Sequence, residues 1–164
     1  MLVTQAAEKI IHFYRGNVRE IDHTLKVWAL ARTIGGEEGL LPAEQEELEL
    51  AALIHDIACP LCREKYGSAP GDKQELESPP LVRAFFEGMG IPAARVARLA
   101  WLAAHHHTYT GVDGPVHRIL LEADYLVNAG ERGDNRETIA QAGEHFFRTE
   151  AGKRLLRSMY LREE

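Results

Sequence analysis

Apolar residues recur along the chain at the three- and four-residue spacing of an α-helix, and no segment alternates apolar and polar positions for long enough to form a strand. The pattern predicts an all-α protein. A first helix is expected over about residues 4–15, stopping at Gly16. A second is expected over 18–34 and ends at Gly35-Gly36, because glycine takes the left-handed conformation after a helix at no steric cost. Pro42 suits the first turn of a third helix and the acids Glu44, Glu46 and Glu47 complement its positive end, so this helix runs to Ile57 and stops before Pro60. Over residues 59–80, Gly67, Pro70, Gly71 and the Pro79-Pro80 pair predict a long irregular connection, a kind of loop that is usually functional inside a compact domain. Further helices are expected at 81–89, 92–107, 115–129, 136–148 and 150–161, for a bundle of about eight.

Four polar residues interrupt the apolar stripes. His23 shares a helical face with Val27, Leu30 and Ile34; His55, followed by Asp56, shares one with Leu48, Ala51 and Ala52; Asp124 lies with Leu120, Leu121 and Val127. A carboxylate buried without a partner costs several kcal/mol or protonates, so helices that point imidazoles and acids inward predict a shared cation. Two imidazoles and two carboxylates suit a divalent metal, and this mixed set favours Fe, Mn, Zn or Ni over Mg or Ca. His105-His106-His107, at the end of a helix with Val96, Leu99 and Ala103 on one face, adds three more candidate imidazoles. His12, His117 and His145 carry no supporting pattern and are read as structural, His117 sharing a face with Asp124. Asn128, one turn beyond Asp124, either orients a ligand or packs.

Composition narrows the partners. With 164 residues the chain fits one domain, and a net charge of −6 without any Lys/Arg-rich run argues against a protein that holds long nucleic acid by its phosphates. No run approaches the roughly 20 apolar residues that span a bilayer, and the first residues lack a signal-peptide pattern, so no membrane partner and a cytoplasmic location are expected. The oligomeric state is not legible. Cys59 and Cys62 form a lone C-x-x-C without a βαβ context, and they read as reduced, structural thiols.

The segments Asp22-His23-Thr-Leu-Lys-Val, Ala52-Leu-Ile-His55-Asp56-Ile and Leu121-Glu-Ala-Asp124-Tyr-Leu, in this order on successive helices, resemble the HD-domain superfamily of metal-dependent phosphohydrolases. The resemblance spans about residues 18–130, with 131–164 expected to pack on that core in a single helical domain. It implies that His23, His55, Asp56 and Asp124 hold one metal, with Asp56 bridging to a second where one is present. Asp56 is then expected to orient or deprotonate the water that attacks phosphorus, and His55 is assigned to catalysis beside it. In binuclear branches extra histidines complete a second site, which assigns His106 and His107 here, with His105 a weaker candidate. Glu77-Ser-Pro-Pro-Leu-Val is similar to the His-Gly-Pro segment of the bacterial diadenosine tetraphosphate hydrolase branch, and His107-Thr-Tyr-Thr-Gly to its His-Thr-Thr-Gly. Glu77 stands where that branch has histidine and is expected as a ligand, Glu75 being a rival for the role.

The expected cofactor is one or two divalent transition-metal ions, and the expected substrate a small phosphate ester or a nucleotide. Lys65, Lys73 and Arg83, near the predicted loop, are the candidates for binding its phosphate charge. Two other functions fit the same ligands: an HD-fold di-iron oxygenase, and a catalytically silent nucleotide-binding module.

Overall fold

The structure, a computed structural model, describes residues 1–162. Its elements are helices α1 (Leu2–Phe13), α2 (Val18–Glu37), α3 (Pro42–Ile54), α4 (Cys59–Tyr66), α5 (Gly71–Phe86), α6 (Ala93–His105), α7 (Gly114–Arg132), α8 (Arg136–His145) and α9 (Glu150–Leu156), followed by a π-helical turn (Arg157–Leu161). The all-α expectation holds, and no strand occurs among the described residues.

Helix α3 is the centre of the bundle. Every residue from Leu48 to Ile54 is buried, and α1, α2, α6 and α7 all pack against it. Two features of the sequence set its start: Pro42 lies in its first turn, and the Glu44 carboxylate accepts the Leu41 N–H at 3.0 Å. Helix α7 is the second buried axis, covered at nearly every position from Val116 to Val127. Asn17 caps α2 by accepting the Glu20 N–H at 3.3 Å, which fixes the phase of the turn that carries His23. One apolar core runs from Ala6 on α1 to Leu156 on α9, so the C-terminal helices pack on the same core as the rest.

Two expectations are corrected. The segment 59–80 is not an irregular loop: it folds as α4 and most of α5, and α4 is the helix that the predicted set of about eight lacked. Pro79 and Pro80 lie inside α5. Proline removes a backbone donor and disfavours helix for the residue before it. Here burial of Val82, Phe85 and Phe86, with α5 packed along α6, outweighs that local cost.

The second correction concerns Gly35-Gly36, which do not end α2. The helix continues to Glu37, and the left-handed residue is Gly39, at φ 71°. Gly35 serves a different purpose: a Cβ there would collide with the Gln45 side chain and with Leu48 Cδ2, so the missing side chain lets α2 approach α3.

Candidate metal centre

Four elements deliver the polar groups found at the heart of the bundle. His23 comes from the first half of α2; His55 is the residue that caps the C-terminal end of α3, and Asp56 follows it in the turn; His106 caps the end of α6; Asp124 lies in α7. His55 and His106 are wholly buried, and Asp124 is 1% exposed. Asp56 is the more open of the two acids, its side chain 15% exposed.

The four polar residues of the apolar stripes meet atom to atom. His23 Nε2 lies 3.2 Å from His55 Nε2, 3.3 Å from Asp56 Oδ2 and 3.3 Å from Asp124 Oδ1. His55 Nε2 is 3.5 Å from Asp56 Oδ2 and 3.4 Å from Asp124 Oδ1. On its far side Asp56 presents Oδ1 to His106 Nε2 at 3.2 Å. His23, His55 and Asp124 are mutually close enough to share an ion, as are His55, Asp56 and His106, and again His106, His107 and Asp124.

The tautomers decide what this cluster wants. His23 Nδ1 donates to Glu131 Oε2 at 2.9 Å, and His55 Nδ1 donates to the Ala52 carbonyl at 2.7 Å. His106 Nδ1 likewise donates to the Ala103 carbonyl at 2.7 Å. In the neutral form, with each Nδ1 carrying the proton, the rings turn bare Nε2 lone pairs toward one another and toward two carboxylates. An arrangement of acceptors without a donor repels itself unless a cation sits among the acceptors. Spacings of 3.2 to 3.5 Å are those of donor atoms that can share one central ion. His106 Nε2 and His107 Nε2 are buried and lack a hydrogen-bond partner, as expected of atoms reserved for a metal. The residues therefore fit a divalent cation.

The electrostatics agree. Burial opposes charge on His23, but hydrogen bonds to Asp124 and Asp56 outweigh it and carry the pKa up to about 10. His55 shifts the same way: burial opposes, and the Asp56 charge prevails. Burial opposes ionisation of Asp56 and Asp124 too, yet the histidines hold both carboxyls well below the usual carboxylate range. A cluster that would rather protonate its imidazoles than stay neutral is one that accepts positive charge. His107 differs, since burial and the neighbouring His106 push it down to about 4 and keep it a neutral ring.

Comparison with known families gives a match to the HD domain model over residues 21–129, which begins just before His23 and ends just beyond Asp124. The chain belongs to the HD-domain family. HD domains form a superfamily of metal-dependent phosphohydrolases, and the His…His-Asp…Asp order of this one lies inside the matched span. No curated protein and no solved structure matches the chain.

Around this HD-domain core, the remaining sequence candidates fall in several places. Glu77 stands apart from the cluster: Lys65 Nζ and Tyr66 Oη both donate to its Oε1 at 2.6 Å, tying α5 to α4. Glu75 is 55% exposed and pairs with His105 Nε2 at 3.5 Å. His105, stacked on Trp101, points away from the ligand groups. Lys73 lies over the Tyr66 ring near Asp72, and Arg83 lines a groove between α5 and α6 with Phe86 and Val96. Cys59 and Cys62 are buried free thiols, and burial, ahead of the nearby acids Asp56 and Glu77 respectively, raises both.

The cations that do face the metal cluster are Arg19 and Arg63. They line a cleft of about 380 Å³ that reaches His23 and Asp56 and is walled by Ser68 and Ala69 on one side and by Asn128 and Glu131 on the other. Arg63 is held by Glu20. Asn128 donates to Asp124 Oδ1 at 2.8 Å, so it orients the carboxylate of that candidate ligand. Glu131 extends the face of Asp124 and Asn128 by one more turn of α7, and that spacing was the available signal for it. Arg63 had none, because α4 was read as loop.

Proposed function

We propose that this HD domain is a metal-dependent phosphohydrolase that cleaves a small phosphate ester. The observation that carries the reading is the meeting of bare Nε2 atoms of His23 and His55 with Asp56 and Asp124, at the floor of a cleft that two guanidinium groups overlook.

His23, His55, Asp124 and Asp56 Oδ2 would hold one divalent ion. His106, His107 and the second oxygen of Asp56 provide ligands for another. Bound there, such an ion is a Lewis acid that draws charge from phosphoryl oxygens and lowers the pKa of water from about 15.7 toward 7.

The protein's own groups do the rest. Asp56 is the ligand carboxylate that borders the cleft, so it is the group placed to take up a proton beside the reacting phosphorus. Glu131 keeps the His23 proton on Nδ1, and Ala52 does the same for His55, so neither ring turns a donor toward the cluster. Arg19 and Arg63 present planar, permanently charged donors to the oxygens of a phosphoryl group. Apolar residues behind His55 and Asp124 keep bulk water from the inner face.

The test is elemental analysis of protein purified without chelator, together with phosphate release from generic monoesters under anaerobic conditions. The expected result is about one to two equivalents of transition metal per chain and turnover without oxygen. Asp56→Ala should lose both metal and turnover; retention of both would remove Asp56 from the site.

A further inference from the structure

We infer that the cleft selects a compact, hydroxyl-bearing phosphate monoester of the sugar-phosphate kind and gives no foothold to a nucleotide base. The inference rests on the phosphohydrolase reading above and narrows its substrate.

The lining supplies the reason. Among the described residues that form the cleft, none is Phe, Tyr or Trp, Ala69 is the one apolar side chain, and the one aromatic ring, the imidazole of His23, has its nitrogens turned to Glu131 and to the His55 cluster. A nucleobase is usually gripped by stacking on an aromatic or guanidinium plane, and each stacked base is worth about 1–3 kcal/mol. The aromatic residue nearest along the chain to the Ser68 wall is Tyr66. Its ring carries Lys65 Nζ at 5.6 Å and Lys73 Nζ at 5.3 Å, and its hydroxyl is committed to Glu77. Of the two guanidinium planes, Arg63 is committed to Glu20.

What the wall offers instead suits hydroxyl groups. Asn128 gives one N–H of its amide to Asp124, and its carbonyl oxygen is left to accept. Glu131 spends Oε2 on His23, and its Oε1 reaches only Lys26, at 3.5 Å. These two acceptors lie one turn apart on α7 and face the same cleft as the Ser68 hydroxyl. A polyol can donate to both oxygens and exchange a hydrogen bond with the serine, whereas the faces of a purine match none of the three.

Charge points the same way. Glu20, Asp56 and Glu131 line the cleft beside Arg19 and Arg63. One phosphoryl group can lie on the metal side between the arginines, but the further phosphates of a dinucleoside polyphosphate would have to run past carboxylates.

Ribose 5-phosphate and AMP make the decisive pair, since they share a phosphoribosyl group and differ in the adenine. With the metal-loaded full chain, kcat/KM for ribose 5-phosphate should exceed that for AMP and for diadenosine tetraphosphate by at least about tenfold, a difference equivalent to one lost anchoring contact. AMP turned over as well as ribose 5-phosphate, or better, overturns the inference and leaves the hydrolase reading standing. If p-nitrophenyl phosphate and every other ester in the panel release no phosphate, both readings fall together. Arg19→Gln, a change at an exposed side chain, should raise KM for ribose 5-phosphate about tenfold with metal content unchanged. An unmoved KM would mean that the phosphoryl group does not lie on this side of the cleft.

Discussion

His23 can serve as the proposed ligand only because something else fixes its proton. The Glu131 carboxylate accepts from Nδ1 at 2.9 Å and so keeps Nε2 bare and aimed at His55 and the two acids. Partners of this kind tune a metal ligand, and their loss typically costs 10–100-fold in metal affinity. Glu131→Gln should therefore weaken metal binding by about one to two orders of magnitude while the fold persists; unchanged affinity by metal titration would show that the ring is held some other way. A different histidine governs acid stability. His117 is fully buried as a neutral ring, its Nε2 donating to the His105 carbonyl at 3.0 Å and its Nδ1 accepting the Asp113 N–H at 3.2 Å. Burial, aided by the charge of Arg98, lowers its pKa below the ordinary 6.5 although the His105 carbonyl resists. A base depressed in the folded state binds fewer protons than in the unfolded state, so its contribution is complete above 6.5 and drains away as pH falls toward the lower folded value. Denaturant melts from about pH 7.5 to 5.5 should show that loss, and His117→Gln should flatten the slope; parallel slopes would exonerate His117.

Elements matter because they place these residues. Helix α3 is buried on every side over its last two turns, and that burial positions His55 and Asp56 at its end, where the chain turns into α4. Helix α4 then contributes Arg63 to the cleft, and α5 braces it through the bonds from Lys65 and Tyr66 to Glu77. Glu77 entered as a ligand on the strength of its position in the sequence. The structure gives it work between two helices, which leads to a clear contrast: Glu77→Gln should keep full metal content and lower the thermal midpoint by loosening α4 on α5. Loss of metal in that variant, with the midpoint unchanged, would restore Glu77 to the centre. The helical state of residues 59–80 was hidden because glycine and proline announce breaks locally, while the packing of Val82, Phe85 and Phe86 that overrides them is not a local property.

For the whole molecule, the candidate metal centre is a meeting point of helices far apart in the chain. Its candidate ligands come from α2, from the ends of α3 and α6, and from α7, so an ion held there would join four walls of the bundle. Whatever binds the folded state alone stabilises it by mass action, about 2.7 kcal/mol when the free ion is at a hundredfold its Kd. Chelation should consequently lower the thermal midpoint by roughly 5–10 °C, and returning the metal should restore it. A midpoint indifferent to chelator would mean that the cluster is satisfied without an ion.

The order of apolar and polar positions determined the helical class, most helix boundaries to within a few residues, and the polar positions on α2, α3, α6 and α7 that had to find one another. Periodicity reports which face of a helix is buried, and a charge on a buried face needs a partner wherever that partner lies. The tertiary structure alone decided which acids and cations surround the centre, because Glu131, Arg19 and Arg63 sit on exposed or half-exposed faces where sequence imposes no such demand. It also decided that Gly35 marks a close approach of two helices and that a segment rich in breakers is helical, since both depend on what packs alongside.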